Sequence, residues 1–163
     1  MSQLRSSIIR KYQKAVDGAR LALADDITIY YRTGNKLTVS ADEWDPVNQE
    51  LLNVEQATDG NYYMDEIVTK TIKATTSRLG LSDKYIPLNL MGGQINRNDV
   101  IISCKLEDVL LDPSVTSGET IFHKCTKIDI NGDLCVPRTT PLKYGLANSV
   151  YSCAIVASFD INT

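Results

Sequence analysis

A chain of 163 residues and 18.1 kDa, 43% hydrophobic and 23% charged, is large enough to bury a real core as one domain spanning residues 1–163. Its net charge of −3 and pI of about 5.1 argue against a dedicated nucleic-acid binder, which neutralises phosphate with a basic stripe. No apolar run approaches the ~20 residues of a membrane span. Met1 to Asp26 also lacks the uninterrupted apolar segment of a secretory leader, so the expectation is a soluble chain made in a cytoplasm.

Residues 1–25 read as one amphipathic helix. Leu4, Ile8, Tyr12, Ala15, Val16, Ala19 and Leu23 recur every three or four positions, with Arg5, Arg10, Lys11, Lys14 and Asp17 mostly elsewhere. Such a helix is roughly 33 Å long, which exceeds what a small β domain needs. Its stripe is expected to cover one mouth of that domain, and its length leaves part of it to lean on something else.

Residues 26–163 read as a β-rich core. Ile27, Ile29 and Tyr31 alternate with Thr28, Tyr30 and Arg32, and Leu37 and Val39 with Lys36, Thr38 and Ser40; Thr33-Gly34-Asn35 between them predicts a hairpin turn. Residues 41–61 carry no sustained period and form a long loop, with room for a helical turn near Val47 to Leu52. Tyr62 to Ala74 is β-branched and imperfectly alternating, as an edge strand or two-sided contact surface would be. The central stretch is Gly92 to Leu110. A Gly-Gly turn and an Asn96-Arg97-Asn98-Asp99 corner lead into a strand with Val100, Ile102, Cys104 and Leu106 on one face and Ile101, Ser103, Lys105 and Glu107 on the other.

A second loop occupies residues 112–118. Glu119 to Ile130 follows as a strand that places Ile121, His123 and Cys125 on one face and slips phase near Thr126-Lys127, the mark of a β-bulge. Asn131-Gly132 is the strongest turn signal and joins it to a strand at Leu134 to Val136. Pro137 and Pro141 bracket a loop, and Val150 to Asp160 closes the chain with Tyr151, Cys153, Ile155, Ala157 and Phe159 facing in. The fold class is therefore mainly β: a small antiparallel β-barrel or sandwich preceded by one N-terminal α-helix.

Catalytic signatures are missing. Any Ser-His-Asp or Cys-His arrangement has to use the single histidine, His123, and an ordinary strand histidine explains it as well. No phosphate-cradling loop or nucleophile elbow occurs. Asp129-Ile130-Asn131-Gly132-Asp133 has its glycine too early for a calcium loop and lacks the closing glutamate. Glu107-Asp108 and Asp65-Glu66 are adjacent pairs that point to opposite faces of a strand, unlike a glycosidase pair. Cys104, Cys125, Cys135 and Cys153 are widely spaced within strand-like runs and read as reduced, buried small hydrophobes. No catalytic, cofactor-binding or metal-ligating residue is assigned, no cofactor is expected, and the chain reads as a non-enzyme.

The order of elements carries a resemblance. An amphipathic helix, an apolar hairpin, a long irregular loop, the Gly92-Gly93-Gln94-Ile95 through Asp99-Val100-Ile101-Ile102 strand opening and a β-rich C-terminal half resemble the head-closure (stopper or neck) proteins of tailed bacteriophages. Relatives often have Gly before that Asp; here Asn98 stands there. The resemblance implies a virion structural protein in the neck and tail region, made in the host cytoplasm. It implies a homo-oligomeric ring of roughly six or twelve copies between portal or adaptor and tail proteins. DNA would pass through the lumen without specific binding, gated by loops 41–61 or 112–118, with no membrane partner. Tail terminator or completion protein is the nearest alternative. A small-molecule-binding β-barrel is a further one, for which 7% aromatic content offers little stacking material.

Overall fold

The computed structural model describes residues 2–39, 54–56, 58, 62–78, 99–115, 118–146 and 149–159. Helix α1 spans Ser2–Leu23. The strands that follow are β1 (Asp25–Val39), β2 (Val54–Gln56), β3 (Tyr62–Arg78) and β4 (Asp99–Lys105). A one-turn helix α2 (Leu106–Val109) precedes a 3-10 turn at Ile121–Lys124, and the chain ends with β5 (Cys125–Ile130), β6 (Asp133–Pro137), β7 (Leu142–Leu146) and β8 (Ser149–Phe159).

Every pairing is antiparallel. From β1 the hydrogen-bonded path runs through β5, β6, β8, β4 and β3, and β3 pairs back onto β1. The six strands thus form a ring-like circuit, which leaves one side of β1 beyond Tyr31 and of β3 before Ala74 outside it. Strand β2 adds to β3, and β7 adds to β8. Inside the circuit lie Ile27, Ile29, Ile72, Val100, Ile102, Cys104, Ile128, Cys135, Cys153, Ile155 and Ala157; Leu106, Val109, Leu110, Ile121 and Phe122 continue the same core.

The central strand is buried on both faces. Val100, Ile102 and Cys104 point into the main core as their period dictates, but Ile101 and Ser103 are buried too. Strand β7 is responsible: its Leu142 and Tyr144 pack over Ile101, Ala154 and Val156, forming a second, smaller apolar layer. Ser103 Oγ and the Tyr144 hydroxyl hydrogen-bond across that layer. The period-two pattern assigned the outer face to solvent; a strand absent from the sequence reading covers it instead.

Three further expectations are corrected. The hairpin at residues 27–40 is one continuous strand, because both halves of β1 pair with β3. Three residues, Thr33-Gly34-Asn35, face Glu66 alone between the Arg32–Ile67 and Lys36–Asp65 pairs, so the turn-like triplet is a bulge. Gly34 takes φ +91°, where a side chain is strained. Glu66 Oε2 accepts from Thr33 Oγ1 at 2.7 Å and Asn35 Nδ2 at 2.9 Å, which replaces the ladder bonds the bulge removes and lowers the carboxyl pKa.

Strand β3 runs on past Ala74 to Arg78, where β4 joins it; from Asp65 to Lys73 its one described partner is β1, as the edge strand read there requires. The central strand stops at Lys105, where the chain turns into α2 instead of reaching Leu110. The segment after Glu119 opens as a 3-10 turn, and only Cys125–Ile130 is strand. The bulge read near Thr126-Lys127 is there: Tyr30 pairs with Lys127 and Tyr31 with Cys125, leaving Thr126 extra. Asn131 and Gly132 take φ 56° and 94° and turn β5 into β6 as the sequence predicts. The helical turn expected near Val47 to Leu52 and the Gly92 to Asn98 corner lie outside the described residues.

Candidate functional site

The residues that could carry chemistry stay apart. His123 sits on the 3-10 turn with an exposed ring, away from the face shared with Cys125 that a regular strand would give it. The Thr120 N–H donates to His123 Nδ1 at 3.1 Å, and the Thr120 hydroxyl lies 3.0 Å from the same nitrogen. The imidazole therefore serves as a cap for its own turn, with its proton on the other ring nitrogen. Cys125 is half-buried, and burial pushes its thiol from 9.0 up to about 12. A thiol held neutral in this way is not a nucleophile.

The other three cysteines are buried. Cys104 and Cys153 face each other across β4 and β8. Burial raises both thiols, Cys104 well above its usual value and Cys153 to about 12. Among the described residues no group of three or more His, Cys, Asp or Glu side chains gathers to hold a metal ion. Asp129, in the calcium-like stretch, accepts from the Gly132 N–H at 2.7 Å and pins the β5–β6 turn. Glu107 and Asp108 belong to the first turn of α2 and not to a strand edge; Lys105 pairs with Glu107.

One carboxylate in the quoted motif is deeply placed. Asp99, 1% exposed, opens β4, and Arg138 Nη1 lies 3.0 Å from each of its oxygens. Arg138 N donates to Val156 O at 2.9 Å, so the loop after β6 is tied to β8 as well as to β4. This pair locks the entry to the central strand, and the sequence reading gave Asp99 no partner.

What the described residues offer instead of a reaction centre is surface. Beyond Tyr31, β1 loses β5, and β4 does not reach the first half of β3. Arg32–Val39 and Tyr62–Ile67 therefore run on as a ribbon edged by β2, a span of roughly 26 Å for eight residues. Leu37 opposite Met64 and Val39 opposite Tyr62 line one face of it; Leu37 is 42% exposed, and Ile67 further along is 52% exposed.

Helix α1 is the second such surface. It rests against β3, α2 and β8 through Ile9, Gln13, Val16, Asp17 and Arg20, the positions of α1 that are half-buried. Arg20 is the anchor: Nη2 donates to Ser152 Oγ at 2.7 Å, while Nη1 is buried 4.0 Å from Asp17 with no hydrogen bond. Tyr12 meets Tyr151 edge to face, ring centroids 6.3 Å apart, so Tyr151 packs on the helix and not with the inward residues of β8. A cleft of about 680 Å³ lies between α1, β3 and α2, walled by Asp17, Arg20, Lys70, Lys73, Lys105 and Glu107. With Asp108 the wall holds four cations and three acids, a mixture that suits neither an anion nor a cation as a lone occupant.

No helix among the described residues is long and apolar enough to cross a membrane. Comparison with family models, with curated proteins and with solved structures returned no match.

Proposed function

We propose that this chain is a structural subunit of the head-to-tail connector, or neck, of a tailed bacteriophage, and not an enzyme. In this reading copies of the chain close into a homo-oligomeric ring that joins portal or adaptor to tail proteins and lets DNA through its lumen. The observation that carries it is the division of labour in the fold. Six strands close on themselves around a filled core, while a helix and a β ribbon stand outside with apolar side chains exposed. A scaffold with peripheral arms is what heterologous joining of identical subunits requires. The order of elements that resembles the head-closure proteins supports the same reading, and a net charge of −3 suits a channel that passes DNA without gripping it.

The test is assembly. Purified chain, alone and mixed with the portal and tail proteins encoded alongside it, is measured by light scattering and imaged in negative stain. Closed rings, or incorporation into the portal–tail junction, are expected. A strict monomer that joins neither partner, or submicromolar affinity for duplex DNA at moderate salt, overturns the reading.

A further inference from the structure

Helix α1 turns its apolar stripe away from its own body. Leu4, Ile8, Tyr12 and Leu23 are 72%, 55%, 47% and 74% exposed, and Ala15 and Ala19 between them are exposed as well. At 3.6 residues per turn these six positions fall within an arc of roughly 100°, the width of a helix face built to be covered. The face that does touch the body is the more polar one, held by Gln13, Asp17 and Arg20. A stripe this regular, turned outward over the length of a helix, marks a contact with another molecule.

Charge identifies the occupant. Five of the 17 cations and one of the 20 acids lie in α1, so the helix carries +4 and the rest of the chain −7. Arg5, Arg10, Lys11 and Lys14 precede any acid in the helix. Between Leu106 and Thr120 the pattern is reversed: Glu107, Asp108, Asp112 and Glu119 outnumber the two lysines that pair there, Lys105 with Glu107 and Lys124 with Glu119 at 3.9 Å. Within that acidic segment Leu111 and Val115 are 40% and 43% exposed. Residues 111–115 make a hydrogen-bonded turn: Leu111 N donates to Glu119 O at 3.0 Å and Val115 N to Asp112 O at 3.1 Å. The chain thus carries a basic apolar rod and, beside the Gln13–Asp17 face of the same helix, an acidic apolar seat.

We propose that the N-terminal half of α1 in one copy docks by Leu4, Ile8 and Tyr12 onto the Leu111–Val115 turn of the next copy, its cations facing Glu107, Asp112 and Glu119. Rod and seat are different residues, so the contact propagates from copy to copy where it is not returned and closes a two-fold dimer where it is. The proposal rests on the self-assembly put forward above and names the surface that performs it.

The experiment is sedimentation velocity of the full chain over a concentration series, in low salt and again with added salt. Wild-type chain is expected to associate, and more weakly as salt rises. Leu4→Gln with Ile8→Gln keeps helix propensity and is expected to weaken association at least about tenfold. Glu107→Lys with Asp112→Lys and Glu119→Lys is expected to do the same. Mixing that seat variant with an Arg5→Glu, Arg10→Glu, Lys11→Glu rod variant is expected to restore a heterotypic complex. Association unchanged in both the stripe and the seat variants overturns the proposal but leaves a ring built on other surfaces standing. Wild-type chain that stays monomeric to about 1 mM, or helix cations that bind anionic vesicles or duplex DNA while self-association is untouched, also overturns it. If the stripe variant abolishes association and the wild-type particles prove to be open chains, the docking holds and the neck reading fails.

Discussion

Strand β8 and helix α1 are both amphipathic in sequence, and they end in opposite situations. In β8 every residue from Ser152 to Ala157 is buried, on the face the alternation marks as apolar and on the other one too. In α1 the face the 3.6-residue period marks as apolar is the one left exposed. Periodicity therefore reports which side chains need cover and is silent on what supplies it. For β8 the cover is intramolecular: the closed circuit inside, and β7 outside. For the stripe of α1 the described part of its own chain covers only Tyr12, against Tyr151, and half-buried Val16.

The sharpest way to test the buried side of that contrast is Ile155→Ala. Ile155 is fully buried in the main core, and losing its methyl and methylene groups is expected to cost about 2–5 kcal/mol. The measurement is the urea midpoint at constant m value. Val156→Ala probes the opposite face of the same strand. If β7 seals that face as the packing indicates, about 2 kcal/mol is lost there as well. A change under about 0.5 kcal/mol at Val156, the size expected of a solvated site, breaks the two-layer description.

Next in size is Arg138→Ala. Asp99 is 1% exposed and meets the guanidinium through both of its oxygens, whereas the Arg138 side chain is 37% exposed. Removing the cation takes a charged hydrogen-bond partner from a buried carboxylate, at a cost of about 1.5–3 kcal/mol, the range for hydrogen bonds to charged groups. Asp99→Asn leaves the half-exposed Arg138 to water and is expected to cost less than Arg138→Ala. Equal losses would show that the pair is held by its shape and not by the charge of its buried member.

Much of the fold was legible because local chemistry decided it. The Asn131-Gly132 turn needs two positive φ values, and few other residue pairs adopt them readily. The Thr126 bulge showed as a slip of phase, and the inward set Cys153, Ile155, Ala157 and Phe159 followed from strict alternation. What escaped reading was decided at a distance. Thr33-Gly34-Asn35 has turn chemistry, yet the triplet is absorbed as a bulge because Glu66, from a strand far along the chain, holds it there. Strand β7 hid in Leu142-Lys143-Tyr144, too short to show a period. His123 looked like a strand residue because nothing local announced that Thr120 would cap a 3-10 turn with it. The surfaces now put forward as functional were half visible: the stripe on α1 stood out at once, but only the structure showed which way it points.

The smallest expected effect decides the exposed side of the comparison. Leu4→Gln with Ile8→Gln removes two large apolar side chains, and the same loss inside the circuit would unfold much of the domain. Here both residues are more than half exposed, and glutamine matches leucine in helix propensity, so the unfolding free energy of dilute, unassociated chain is expected to move by under about 0.5 kcal/mol. Thermal unfolding followed by far-UV circular dichroism at low concentration checks it. A loss as large as that at Ile155 would mean that the stripe already packs within the monomer, and α1 would then be a cover for its own domain. An unchanged midpoint, together with the loss of association in the same variant, places the stripe's free energy in the contact between molecules. Two residues that are neutral for folding and costly for assembly are what separates an arm from a core.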